Sequence, residues 1–296
     1  MPLDAPHEPT PIEDYAFLGD TETAALVSRA GSIDWLCLPR FDSPACFAAL
    51  LGTPEHGRWL LGPKGEARST RRYVENSLVL ETLHETDTGA VRVTDLMPLG
   101  DGRADIVRSV QGLWGTVTMR HEWIVRFDYG KVRPWVSHGT GHRLDGDVIT
   151  AIAGPDMLVF RGSRLPHAHD GRHEDEFEIS ARQTHTFSTT WFPSFEDVPP
   201  PLDIDSRILE TIRVSNEWAE RCDYQGPYRE LVVRSLLTLR GMTHSRFGGI
   251  VAAPTTSLPE DFGGERNWDY RYCWLRDASL TLEALLASGY VEEARL

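Results

Sequence analysis

Three consecutive prolines, Pro199, Pro200 and Pro201, divide this chain into two stretches of different character. Proline fixes φ and lacks a backbone N–H, so such a run ends any preceding strand or helix. Before it, short apolar runs alternate with turn residues. Segments 24–27 and 33–38 flank Ala30-Gly31, and segments 78–83 and 91–96 flank Asp87-Thr88-Gly89. Each pair reads as an antiparallel hairpin. Further strands are expected at 106–110, 116–127, 148–152, 157–161 and 177–191. Val117, Met119, His121, Trp123 and Val125 alternate with Thr118, Arg120, Glu122 and Ile124, the period of a sheet with one covered face. Many short strands with Gly and Pro turns predict an antiparallel sandwich.

After the prolines the period becomes helical. Ile208, Ile212, Ser215, Ala219 and Cys222 fall on one face, with Leu209 and Trp218 beside them and Asp205 or Ser206 as the expected N-cap. A second helix opens at Pro227. Tyr228, Leu231, Val232, Ser235, Leu239 and Met242 give its face, Val233, Leu236 and Leu237 widen the apolar arc, and its end is expected near Gly248-Gly249. A third follows Arg276-Asp277, with Ala278, Leu282, Leu285 and Leu286 inward and Gly289 at its C-terminal end.

Bulk properties remove several function classes. The 296 residues carry a formal charge of −14, which repels phosphodiester backbones and anionic membranes but leaves a neutral saccharide unaffected. No apolar run approaches the ~20 residues of a membrane span. Residues 1–8 are acidic and Pro-rich, without the basic and apolar regions of a secretory signal. Cys37, Cys46, Cys222 and Cys273 form no C-x-x-C pair and read as free thiols, so the cytoplasm is the expected compartment. No phosphate-cradling Gly-Lys loop, dinucleotide fingerprint, H-E-x-x-H or G-x-S-x-G is found. Residues 166–175 hold metal-capable histidines but read as a polar hairpin loop. No metal or cofactor is called for, and the oligomeric state is left open, a homo-oligomer included.

Residues 264–278 concentrate Trp268, Tyr270, Tyr272 and Trp274 with Arg266, Arg271, Arg276, Asp269 and Asp277. Buried guanidinium and carboxylate groups all need partners, which makes such a run expensive as plain core. It suits a sugar: aromatic faces lie on the C–H faces of a pyranose, and Arg and Asp bond its hydroxyls. A plainer reading has Asp277 capping a helix that begins at Ala278, Arg276 as its ion-pair partner and Trp274 as core.

This stretch resembles the conserved block of glycoside hydrolase family 15, the glucoamylases, glucodextranases and bacterial trehalases. Residues 11–20 and 31–44 are similar to the opening of bacterial members that carry a trehalase-like N-terminal β domain. The resemblance implies an antiparallel β supersandwich at 1–200, a helical linker at 201–226 and the start of an (α/α)6 barrel at 227–296. Three helices cannot close a barrel, so the chain is expected to be the N-terminal part of a longer enzyme and inactive alone. By the same resemblance Arg276 and Asp277 match the pair that grips the terminal glucose, and Trp274 and Tyr270 match aromatic positions of that pocket. Trp268, Asp269 and Arg271 carry over less clearly, and residues 255–260 resemble a loop at the pocket rim. Inversion needs an acid and a base about 6.5–9.5 Å apart. The family supplies both as glutamates on later loops, so no catalytic residue is assigned; Glu260, Glu265 and Glu283 align with neither. The implied activity is hydrolysis of trehalose or of α-glucan ends. The alternatives are a glycoside phosphorylase and a non-catalytic carbohydrate-binding or assembly module. Residues 40–44 read as a turn with an internal Arg40–Asp42 pair rather than a site, the alternative being a turn that abuts the barrel mouth.

Overall fold

The computed structural model describes residues 10–100, 102–139 and 146–295. The acidic leader and the final Leu296 lie outside them. Fifteen strands precede the prolines: β1 Tyr15–Gly19, β2 Ala24–Ser28, β3 Ser32–Cys37, β4 Ala45–Phe47, β5 Arg58–Pro63, β6 Arg68–Tyr73, β7 Leu80–Thr86, β8 Gly89–Leu96, β9 Ala104–Ile124, β10 Trp135–Gly139, β11 Val148–Ala153, β12 Asp156–Gly162, β13 His167–His169, β14 Arg172–Ser180 and β15 Thr184–Pro193. All pairings are antiparallel. One sheet runs β1-β2-β3-β5-β9-β14-β13, with β4 added on β3. The other runs β6-β7-β8-β9-β15-β12-β11-β10.

The 21-residue β9 belongs to both sheets. Its first half pairs with β8 and β15, its second half with β5 and β14. The crossing falls at Gly115, where φ is +61° and a Cβ would stand 2.1 Å from the Thr88 carbonyl oxygen. Only glycine fits there. Segments 106–110 and 116–127, expected as two strands, are thus one bent strand. The reverse holds at 177–191, which is two strands: Arg182 takes a φ of +71° and Gln183 N–H closes the turn on Ser180 at 3.0 Å. No Gly or Pro marks that turn, so the period alone hid it.

Inward residues of both sheets meet in one core. Leu18, Ile33, Trp59 and Leu61 pack with Val93, Ile106, Val110, Leu158, Phe160 and Phe187. The expected covered face of β9 is buried at Val117, Met119, His121, Trp123 and Val125. Glu122 on the other face is buried too, because Arg58 pairs with it at 2.6 Å. The sheets are also joined by charge. Arg108 pairs with Asp95 at 2.8 Å within the second sheet and donates to the carbonyls of Trp59 (2.6 Å) and Gly31 (2.7 Å) in and beside the first. Every charged atom of that bridge is partnered, which is what allows it to be buried.

Among the described residues three α-helices follow: α1 Ile204–Glu220, α2 Arg229–Gly241 and α3 Leu275–Ala287. The N-cap of α1 is Asp203, whose carboxylate accepts from Ser206 N–H at 3.2 Å and Ser206 Oγ at 2.7 Å, rather than Asp205 or Ser206. Ile208 and Ile212 pack on Val79, Leu96 and Val107 of the sandwich. In α2 the buried face is Val233, Leu236, Leu237 and Gly241, while Tyr228 and Leu231 are exposed. The expected face was centred wrongly because a charged residue takes part of the sandwich side. The Arg234 guanidinium lies 4.4 Å from the Tyr73 ring centre and donates to the Glu75 carbonyl at 3.0 Å. The helix stops at Gly241, short of Gly248-Gly249; a Cβ at Gly241 would lie 2.7 Å from Phe17, so the close approach of α2 to β1 requires glycine there. On α3, Thr281 and Leu285 are buried and Leu286 is not. Leu209, Leu231, Leu275 and Leu280 are exposed apolar side chains on the same three helices. Among the described residues no helix is long and apolar enough to cross a membrane.

Candidate saccharide-binding site

The connection between α2 and α3 folds back on itself. Ala253 N–H donates to Tyr270 O at 3.0 Å, Ser257 N–H to Trp268 O at 3.0 Å and Glu260 N–H to Arg266 O at 3.0 Å, with Thr256 bridged to Asp269. The result is an irregular hairpin with its tip at 261–265. Residues 257–262 of the outgoing arm form one wall of a cleft of about 680 Å³, faced by Ile12, Glu13, Tyr15 and residues 49–52.

The returning arm carries the aromatics. Tyr270 and Trp274 stack with ring centres 5.4 Å apart and planes 29° apart. Trp268 meets Tyr270 edge-on at 6.5 Å. Trp274 Nε1 donates to the Asp269 carbonyl at 3.3 Å. Successive side chains of an extended arm point to opposite sides, and the intervening Asp269 and Arg271 serve a different end. Arg271 Nε and Nη2 donate to the two Asp269 carboxylate oxygens at 2.9 and 2.6 Å. Its Nη1 reaches the Ser43 carbonyl at 2.9 Å and the Phe41 carbonyl at 3.4 Å, and its guanidinium lies 5.4 Å from the Tyr129 ring centre. Trp35 Nε1 adds a hydrogen bond to the Pro254 carbonyl at 2.7 Å.

The electrostatics fit a structural anchor. Burial pushes the Asp269 carboxyl up, but the Arg271 hydrogen bonds outweigh it and leave it below its ordinary value. Burial likewise works against the Arg271 charge, and the Asp269 bonds overcome it. Beneath them Cys37 is pushed up to about 12 by burial, so its thiol stays protonated. The Arg40–Asp42 pair of the supporting turn forms as expected, with bonds of 2.9 and 2.7 Å. That turn abuts the hairpin through the carbonyls that hold Arg271.

Arg276 and Asp277 lie in the first turn of α3, joined by a hydrogen bond of 3.2 Å. The N-cap is Trp274, and no side chain caps it, so Asp277 is not the cap that the plainer reading supposed. Its carboxylate still faces the positive end of the helix dipole. Arg276 is largely exposed, its side chain 72% accessible, and Asp277 is half-buried. Neither is sealed against the sandwich, and neither lines the 680 Å³ cleft. Tyr270 and Trp274 are brought together, Trp268 stands at the far end of their row, and Arg276–Asp277 follow Trp274 directly. Such a set can stack on one ring face and hydrogen-bond hydroxyls at its edge. Glu260, Glu265 and Glu283 are exposed. Residues 166–175 form the expected hairpin, β13 turning through Asp170-Gly171 into β14. No group of three or more His, Cys, Asp or Glu among the described residues is placed to hold a metal.

The roles of Arg271 and Trp35 were missed by sequence reasoning. Their signal was present: a guanidinium flanked by tyrosines, and a tryptophan inside a wholly buried strand, both carry N–H groups that burial obliges to find acceptors.

An antiparallel two-sheet sandwich thus leads into three helices, with an aromatic and charged hairpin between the second and the third. Residues 5–184 match the family described as "Trehalase-like, N-terminal", and residues 226–296 match "Glycosyl hydrolases family 15". The chain belongs to the trehalase-like members of glycosyl hydrolase family 15. It is 34% identical over 319 residues to a trehalase of Mycolicibacterium smegmatis, covering 96% of this chain and 46% of that protein. A trehalase of Thermoplasma volcanium is 32% identical, with 96% of this chain and 46% of the relative covered. The chain therefore spans about half the length of the curated relatives it matches. Among solved structures, a bacterial glucoamylase complexed with acarbose superposes with a TM-score of 0.67 at 10% identity, over 99% of this chain and 50% of that one. A putative kojibiose phosphorylase from human microbiome gives 0.51 at 10% identity, over 91% and 44%. At that identity the likeness is one of fold.

Proposed function

We propose that this chain is the N-terminal portion of an inverting α-glucoside hydrolase acting on trehalose. Residues 1–200 serve as the sandwich, 201–226 as a helical linker and 227–296 as the first helices of an (α/α)6 barrel whose later loops bring the acid and the base. The observation that carries the reading is the stacked Tyr270–Trp274 pair leading into Arg276–Asp277 at the start of α3. Trp274 and Tyr270 cover one face of the terminal glucose, Trp268 extends the row, and Asp277 and Arg276 take its hydroxyls by charge-assisted hydrogen bonds. The exposed Leu209, Leu231, Leu275 and Leu280 of α1–α3 offer apolar side chains on which further helices would pack. The trehalase relatives at 34% and 32% identity favour trehalose over longer α-glucans.

Phosphorolysis is the second reading, favoured by the fold likeness to the phosphorylase. The two separate by product. A hydrolase carrying this chain releases two glucose molecules from trehalose in phosphate-free buffer. A phosphorylase releases a sugar phosphate and stops when phosphate is withdrawn. Absence of turnover on trehalose and maltose in both buffers contradicts the enzyme reading and leaves a binding module.

A further inference from the structure

A second cavity, of about 270 Å³, opens beyond the end of β9, between β10 and the β13–β14 hairpin. Its polar lining is Arg126, Arg133, Arg172, His138 and His173 over a floor that includes Trp123; among the described residues no carboxylate lines it, Glu55 and Glu174 pairing with Arg172 from outside. That is unusual in a chain with a formal charge of −14. Arg126 is the telling member. Its side chain is only 3% accessible, its Nη1 donates to its neighbour Val125 O at 2.8 Å, and its Nη2 has no hydrogen-bond partner. The nearest carboxylate to that nitrogen, Glu55, is 3.9 Å away. Burial and then the neighbouring Arg133 hold the Arg126 guanidinium below its ordinary value, opposed by Glu55, which is itself paired with Arg172, and Arg172 adds to the effect of Arg133. His138 and His173 face each other Nε2 to Nε2 at 3.3 Å. Two imidazoles alone suggest a cation, but three guanidinium groups around them repel one.

We propose that this cavity binds a small oxyanion, phosphate or carboxylate, gripped by Arg126, Arg133 and Arg172 and hydrogen-bonded by the His138–His173 pair. Planar guanidinium forks suit such oxygens. The 270 Å³ leaves room for a small group attached to the anion and lying on Trp123. The proposal stands apart from the saccharide site and from the glycosidase reading.

Calorimetric titration of the protein with inorganic phosphate and, separately, citrate, at constant ionic strength in chloride, tests it. Saturable binding of either is expected, with phosphate and citrate competing if both bind. Arg133→Gln, at an exposed position, is expected to weaken binding at least about tenfold, the worth of one charged hydrogen bond. Arg126→Gln should abolish it, while Lys64→Gln, outside the cavity, should change it less than twofold. Failure of both anions to bind overturns the proposal, as does binding that Arg133→Gln leaves intact.

Discussion

Arg271 holds Asp269 with two parallel hydrogen bonds of 2.9 and 2.6 Å while its third nitrogen reaches the Ser43 carbonyl, 228 residues earlier in the chain. One side chain thus ties the aromatic arm to the sandwich. The arm's aromatic residues inherit their position from that tie, because Tyr270 is the residue before Arg271 and Trp274 bonds the Asp269 carbonyl. The N-terminal domain is therefore part of the site's framework.

Removing the anchor should loosen both. Arg271→Ala leaves the Asp269 carboxylate and two turn carbonyls without their donor and is expected to cost about 2–3 kcal/mol in urea unfolding. Arg271→Lys should recover less than half, since an ammonium cannot bond two carboxylate oxygens and a carbonyl from one plane. In the same variants the near-ultraviolet signal of Tyr270 and Trp274 should weaken. Wild-type stability in Arg271→Ala would show that the tie carries no load.

Stability should depend on pH with a slope that can be counted. Burial lowers His84 to about 4, His121 to about 3 and His173 to about 4, so as pH falls below about 6.5 the unfolded chain gains protons that the folded one refuses. Each histidine removes roughly 1.4 kcal/mol per pH unit in that range. Asp20 acts in the opposite direction. Burial raises it from 3.8 to about 7, against the two backbone N–H groups, Glu22 and Thr23, that its Oδ1 accepts at 2.8 Å. Its folded form keeps a proton that the unfolded chain loses between those values, so its contribution falls as pH rises. Between pH 4.5 and 6 these four groups give three protons less one, roughly 2.7 kcal/mol per pH unit, and His185 and His244, also lowered by burial, add to it in the same direction. Asp20→Asn keeps an oxygen for both backbone donors and removes the charge. It should match the wild type near pH 4 and exceed it by roughly 2–4 kcal/mol at pH 8. Urea midpoints from pH 4 to 8 measure both, and parallel profiles for the two proteins would contradict the assignment.

The sandwich and the three helices were legible because their signals are local. Hairpins with Gly turns and the alternation of Val117, Met119, His121 and Trp123 mark strands wherever one face is covered. What stayed hidden was long-range. Nothing near Arg271 names Ser43 as its partner, and nothing in α2 shows that Arg234 claims the side facing Tyr73. The Arg182 turn escaped because a left-handed residue other than Gly leaves no mark in the sequence. In the candidate site, the aromatic and charged residues were visible as composition. Their division into an aromatic row and a buried anchor was not, because that depends on which side of the arm the sandwich occupies.

The most direct test of the account is Asp277→Asn in a protein that contains this chain and turns over trehalose, assayed on trehalose alongside urea unfolding. Asp277 caps nothing and its partner Arg276 is exposed, so the substitution should cost no more than its interaction with the helix dipole, about 1 kcal/mol at most. Loss of charged hydrogen bonds to two hydroxyls should lower kcat/KM at least about 100-fold. A variant that turns over trehalose like the wild type, or one that loses stability in step with activity, would contradict the claim that this carboxylate holds the sugar.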